Sequence, residues 1–413
     1  MTTRRSRVID TLVRAFVLSA LVALALSACG EDASETAEPQ APTAATTTVR
    51  ASPASAQPVP TATAAATSAA TAVPPPAATT AATLPATAPS PTVTTAVPAP
   101  GVAVSKSLGA VDAANAFLDG LTADQRAGAV LAFDSPLRPN WSNLPPSMTR
   151  FEHNGVRIGD LDATQTELMH DFLRVALSPD GYVKVVGIVG AEDALAASSG
   201  RQLSADNYWL AFFGEPSAND PWGWQFGGHH LAVNVTVIDG RSYLSPTLVA
   251  VQPASYAVDG VTVTPLAAEV QSGLALMYAL DDAQQAAARV QRPNELWAGA
   301  GKDGVTPPLE GSSVAGWSEA QRALLLDAVA LWVGLLPADS AQARLAEIGS
   351  DVADTYFAWH GDVDAGRPIY YRIQGPTLII EFATQSRVGG DRAHYHSIYR
   401  DPTNEYGTAA AAS

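Results

Sequence analysis

Histidine is the residue type whose spacing in this sequence points most directly to chemistry. His394 and His396 stand one residue apart in a segment rich in aromatic residues. Side chains at i and i+2 of an extended strand lie on the same side, about 7 Å apart, so two such imidazoles can bind one metal ion. A second cluster, His229 and His230, follows two glycines in another strand-like segment.

Strand parity limits how the adjacent pair can contribute to a site. Neighbouring side chains of a strand point to opposite faces, so we expect only one of the two to serve unless a bulge intervenes. His229 shares its face with leucine and valine residues, whereas His230 shares its face with Asn234. We therefore predict a metal site of His230, His394 and His396, with His229 as the alternative third ligand.

Two further residues are candidates for catalysis. Glu381 ends an otherwise apolar strand pattern and is predicted as a fourth ligand or a base, and Arg400 is predicted to orient an anionic substrate. Histidines with one carboxylate suit zinc, iron, copper or manganese, and the sequence does not choose among these metals. A metal with a free coordination position would polarise water or react with oxygen. The sequence therefore does not decide between a hydrolase and an oxidoreductase.

Two other functions compete with a metal enzyme. Tyr208, Trp209, Trp222 and Trp224 would form a platform for a glycan or another small molecule if they lie on the surface of a sheet. In a third interpretation, the histidines only stabilise a structural surface protein.

The composition excludes several classes of chemistry. Cys29 is the only cysteine, so disulfides, iron–sulfur clusters and cysteine nucleophiles are excluded from the folded part of the chain. There are 40 acidic against 24 basic residues, and the net charge is -16. A surface that binds phosphates needs the opposite sign, so we expect no nucleic-acid partner.

The N-terminus has the pattern of an export signal. Arginines at positions 4, 5, 7 and 14 precede an apolar run from 15 to 28, which is short for a membrane span. The run ends in Leu26-Ser27-Ala28-Cys29, which resembles the lipobox of bacterial lipoproteins. The resemblance implies that residues 1–28 are removed and that Cys29 carries acyl chains such as palmitate. It places the protein on the extracytoplasmic face of a bacterial cell membrane.

The remainder divides into a linker and one large domain. Residues 31–105 have no aromatic residue and consist mostly of Ala, Pro, Thr, Ser and Val, a composition that cannot build a core. We expect a disordered tether over 29–105, which O-glycosylation would suit without being required. The folded domain is expected over 106–413.

Hydrophobic periodicity predicts an α+β domain, with a mostly antiparallel sheet packed against several α-helices. Capping-box patterns at 122–125 and 162–165 start two helices, and two longer helices are predicted over 266–290 and 318–336. Strands are predicted at 207–213, 224–238, 242–251, 356–359, 369–373, 378–382 and 395–399, with Asp239-Gly240 as a hairpin turn.

Two segments, 221–234 and 371–401, together resemble an uncharacterised bacterial family, DUF3500. The positions that carry the resemblance are His229, His230, Asn234, Glu381, His394, His396, Arg400 and Asp401. The resemblance covers most of 106–413. It implies that both histidine clusters belong to one domain, and it implies no reaction.

Overall fold

Residues 109–364, 366–385 and 393–412 are described by the structure, a computed structural model. The predicted signal peptide, Cys29 and the tether lie outside the described residues. All described residues belong to one compact unit of the chain.

Thirteen strands occur in the described part of the chain. They are β1 Val130–Leu131, β2 Val156–Arg157, β3 Tyr208–Phe213, β4 Trp222–Gly228, β5 Leu231–Ile238, β6 Arg241–Val251, β7 Tyr256–Val258, β8 Val261–Val263, β9 Ser312–Ser313, β10 Tyr356–Gly361, β11 Ile369–Gly375, β12 Leu378–Thr384 and β13 Tyr395–Arg400. Eleven form one sheet in the order β1-β3-β4-β5-β6-β13-β12-β11-β10-β9, with β2 also paired to β3, and β7 and β8 form a separate ribbon. Within the large sheet, every pair is antiparallel except β1 with β3.

The described helices are α1 Ala110–Asp119, α2 Ala123–Ala129, α3 Ala163–Ala176, α4 Pro179–Ser199, α5 Ala267–Ala279, α6 Asp282–Ala288, α7 Glu319–Val333, α8 Ala338–Ser350 and α9 Thr408–Ala411. Both predicted capping boxes are present, at the starts of α2 and α3. The helix predicted over 266–290 is two helices, because Leu280 is extended and Asp281 caps a new start at α6. None of the described helices combines enough length and apolar character to cross a membrane.

The large sheet is buried on both faces, which confirms the predicted α+β class. Neighbouring residues alternate between two cores: Tyr371 packs into the main core with the helices, and Tyr370 packs into a smaller core with Trp141 and Leu296. In β13, Ile398 faces the smaller core, so His396, two residues earlier, lies on that same face. The face opposite the main helical layer therefore carries the predicted site.

Candidate metal centre

His229 and His230 form the two-residue turn between β4 and β5. Gly228 pairs with Leu231 across this turn, and His230 has a positive φ of 68°. The prediction of one strand over 224–238 is therefore wrong here. The expectation that the two side chains point to opposite faces is also wrong, since the His229 and His230 rings stack with centroids 3.6 Å apart.

The preceding glycines explain how the turn fits into the sheet. A Cβ atom on Gly228 would lie 2.4 Å from the carbonyl oxygen of Asn207, so only glycine permits this close approach of backbone. The Tyr208 hydroxyl donates to the carbonyl oxygen of His229, and the amide of Ala250 donates to that of His230. Both carbonyl groups of the turn are thus fixed by neighbouring strands.

The turn brings His230 to the start of β13, where His394 and His396 lie. The Nε2 atoms of His230 and His394 are 2.9 Å apart, and the rings of His394 and His396 have centroids 4.5 Å apart. One ligand nitrogen from each of the three residues lies within 4.8 Å of the others. Nitrogens bound to one tetrahedral zinc are about 3.3 Å apart, given Zn–N bonds of about 2.0–2.1 Å. Small side-chain rotations would therefore let the three imidazoles share one ion.

The hydrogen bonds of His396 also fit a ligand. Its Nδ1 contacts the side-chain amide of Asn143 at 3.3 Å. Its Nε2 is buried and has no hydrogen-bond partner among the described residues. The amide nitrogen of Asn143 faces Nδ1 and donates to it; flipping this amide would present its oxygen instead, place the proton on Nδ1 and leave the lone pair of Nε2 free for a metal.

All three imidazoles are held in their neutral form. Burial lowers the pKa of His394 to about 4, and the neighbouring His229 and Arg201 act in the same direction. Burial is also the main reason why the pKa values of His230 and His396 lie well below the usual value. Neutral imidazoles are the metal-binding form, so protons compete little with a metal at neutral pH.

Glu192 also belongs to the candidate site, although no local sequence pattern predicts it. It lies on α4, is 2% exposed, and its Oε1 is 2.6 Å from Nδ1 of His229. Its Oε2 is 3.9 Å from Nδ1 of His230, which is beyond hydrogen-bond distance. A carboxylate behind a histidine ligand fixes its tautomer and ring orientation. Glu192, His229 and His230 also form a second group that could hold an ion.

Comparison with known protein families gives one match for the chain. The family model described as "Protein of unknown function (DUF3500)" matches residues 105–408. The chain belongs to the DUF3500 family. Among curated proteins and among solved structures, nothing matches it.

Glu381 of the DUF3500 domain does not join the histidines. Its carboxylate accepts hydrogen bonds from the backbone amides of Trp297 and Ala298, at 3.1 and 2.7 Å, and from the hydroxyl of Tyr370 at 2.8 Å. Burial raises its pKa, and these three hydrogen bonds act in the opposite direction. The groups of described residues whose ligand atoms could share an ion do not include it. The carboxylate predicted as a fourth ligand instead holds the chain at 297–298.

Arg400 holds the same loop of the DUF3500 domain from its other side. It is 1% exposed; its Nε donates to the carbonyl oxygen of Ala298 and a terminal nitrogen donates to that of Gly299. Another terminal nitrogen pairs with Asp303 at 2.7 Å and with Glu405. These contacts occupy the guanidinium that was predicted to orient a substrate.

The aromatic residues predicted as a binding platform are mostly core residues. Tyr208, Trp222 and Trp224 are at most 2% exposed. Trp209 is partly exposed, and its ring stacks on His153 with centroids 4.2 Å apart. The proposed platform therefore does not exist as a surface, because the sheet is covered on both faces.

A cleft of about 510 Å³ opens beside the histidines of the DUF3500 domain, with His396 in its lining. The loop held by Glu381 and Arg400 supplies one wall, which runs from Leu296 to Lys302 with interruptions. Residues 139–151 supply much of the opposite side. The metal centre and the cleft thus meet at His396.

Proposed function

We propose that this protein is a lipoprotein anchored outside a bacterial membrane, whose domain binds a transition metal and hydrolyses a small substrate. His230, His394 and His396 would hold the ion. The observation that carries the proposal is the convergence of three imidazoles, His230 buried and the other two partly buried, on one point beside a cleft. The anchoring part rests on the lipobox-like segment ending at Cys29.

The donor set favours zinc among the metals that the sequence left open. Three protein nitrogens without sulfur, and a fourth position left to water or substrate, are the arrangement of catalytic zinc sites. When bound, such a metal lowers the pKa of its water and supplies a nucleophile at neutral pH.

The remaining steps belong to the residues of this chain. Glu192 orients the imidazoles from behind, and Asn143 fixes the ring of His396. The cleft reaches the cluster at His396, and His230 is buried behind it. Burial keeps the imidazoles neutral, so they bind the ion and do not serve as proton donors.

Elemental analysis tests the metal centre. The full chain, solubilised in detergent, should contain close to one transition-metal ion per molecule after expression in metal-rich medium. Changing His394 and His396 together to Ala should remove the ion, because His230 would be the one imidazole left and cannot hold it alone. The matched control is His360→Ala, which alters an exposed histidine of β10. A native chain without stoichiometric metal contradicts the proposal.

Hydrolysis is tested on the same preparations with p-nitrophenyl acetate and p-nitrophenyl phosphate. We expect zinc-loaded protein to release p-nitrophenol from one of them. The double histidine variant should not, and His360→Ala should match the native chain. Oxygen consumption by an iron- or copper-loaded chain, with no hydrolysis by the zinc-loaded chain, would instead favour an oxidoreductase.

A further inference from the structure

The cleft beside His396 has the size of a small-molecule site. Its volume of about 510 Å³ lies within the range of about 300–1,000 Å³ that is usual for ligand pockets. We place a substrate of the metal in this cleft, because His396 of the cluster lines it. The polarity and charge of the residues that line the cleft therefore indicate the chemistry of the substrate.

Most of the lining is apolar. Trp141, Phe151 and Leu296 contribute aromatic and aliphatic side chains. Leu144 and Met148 are 40% and 55% exposed, so they offer apolar surface to a ligand. Such surface is stabilised when an apolar ligand covers it, by about 25 cal/mol per Å².

The charges of the lining leave one cation without a partner. Lys302 and Glu295 both line the cleft, and their charged atoms lie 3.7 Å apart, so they largely neutralise each other. Arg150 is the remaining charged side chain of the lining, and it makes no ion pair or hydrogen bond with any residue that the structure describes. An uncompensated arginine is notable in a protein with a net charge of -16, since acidic partners are abundant.

From these observations we infer that the cleft binds a small amphipathic anion, an apolar body that carries one carboxylate or a similar group, with Arg150 as the residue that binds the anion. This inference rests on the proposed function for the role of the metal. A guanidinium suits a carboxylate because its donors match both oxygens in one plane. The apolar body would lie against Trp141 and Phe151.

Isothermal titration with three matched probes tests the inference. The probes are 4-phenylbutyrate, 4-phenylbutanol and 4-phenylbutylamine, which share one apolar body and differ in charge. With chelator-treated full chain, so that no metal binds the carboxylate, we expect the acid to bind about tenfold more tightly than the alcohol. The amine should bind most weakly.

Arg150→Gln should remove the preference for the acid and leave the affinity for the alcohol unchanged. Arg367→Gln, which alters an exposed arginine that does not line the cleft, is the matched control and should keep the preference. Equal binding of acid and alcohol by the native chain, or an undiminished preference in Arg150→Gln, overturns the inference.

The metal content of the same preparations separates the two proposals. A chain that binds metal but shows no preference for the acid contradicts only the assignment of the cleft. A chain that shows the preference, lost in Arg150→Gln, but binds no metal contradicts only the metal centre.

Discussion

The imidazole of His230 has a different neighbour on each ring nitrogen. Its Nε2 faces His394 at 2.9 Å, and its Nδ1 faces the carboxylate of Glu192 at 3.9 Å. The same carboxylate makes a close contact of 2.6 Å with His229. Since the His229 and His230 rings stack, Glu192 supports His230 mainly through its neighbour.

We predict that Glu192→Gln lowers zinc affinity by about 10–100-fold. The amide keeps the size of the side chain but loses the charge that favours a proton on the facing nitrogens, so the ligand rings lose their fixed tautomer. Competition with a zinc-binding dye measures the dissociation constant. Saturating zinc should still load the variant to the native stoichiometry, because the three ligands remain.

The control for this prediction is Glu319→Gln, which removes an exposed carboxylate in the first turn of α7. It should bind zinc like the native chain. A Glu192→Gln variant with native affinity would show that the carboxylate has only a packing role.

At the residue scale, the sequence predicted the histidines of the candidate metal centre but not Glu192, the carboxylate that contacts His229. The spacing of His394 and His396 follows from strand geometry, which is local and therefore readable. Glu192 contacts a residue 37 positions away in the sequence, on a helix that the periodicity analysis did not predict. Two residue types at its ends are typical helix signals: Ser178 before Pro179 at the start, and Gly200 at the end, which adopts the left-handed conformation. No local pattern shows that Glu192 faces the turn.

At the scale of elements, the centre depends on a hairpin, a strand and a loop. The hairpin turn at 229–230 was missed because neither histidine is a usual turn residue and the flanking residues continue a strand composition. The strands from β10 to β13 were found because their residues are β-branched, aromatic and uninterrupted. The loop that Glu381 and Arg400 hold could not be predicted, because it depends on contacts across about 80 to 100 residues.

Glu381→Gln separates a role in holding this loop from a role in metal binding. The amide nitrogen would face a backbone N–H of 297 or 298, so we expect the free energy of unfolding to fall by about 1–3 kcal/mol. Urea denaturation followed by tryptophan fluorescence measures this change. Metal stoichiometry should remain that of the native chain.

The matching variant is Glu167→Gln, whose half-exposed carboxylate lies 3.1 Å from the similarly exposed Arg174. It should cost less than about 1 kcal/mol, since exposed ion pairs contribute little. Loss of metal from Glu381→Gln at full folding would instead assign Glu381 to the centre.

At the scale of the whole molecule, function depends on how the domain meets its surroundings. The sheet separates a helical layer from the face that carries the metal centre and the cleft. The periodicity of the sequence predicted the α+β class and the mostly antiparallel sheet, but not that both faces of the sheet are covered. It did not predict the cleft, since a cavity forms where the surfaces of several loops meet and has no pattern of its own.

The proposed anchor gives the last prediction. With Cys29 acylated, the chain should sediment with membranes and leave them only in detergent, because two or more acyl chains give stable binding.

Cys29→Ser removes the acceptor of the lipid, so we expect the chain to keep its uncleaved signal or to appear in the soluble fraction, and to lose labelling by an alkyne palmitate analogue. Ser27→Ala is the matched control, because a small residue at that position preserves the lipobox-like pattern and the label. Zinc content should be equal in both variants, since the histidine centre lies far along the chain from Cys29. Palmitate labelling that persists in Cys29→Ser would contradict the anchor while leaving the metal centre intact.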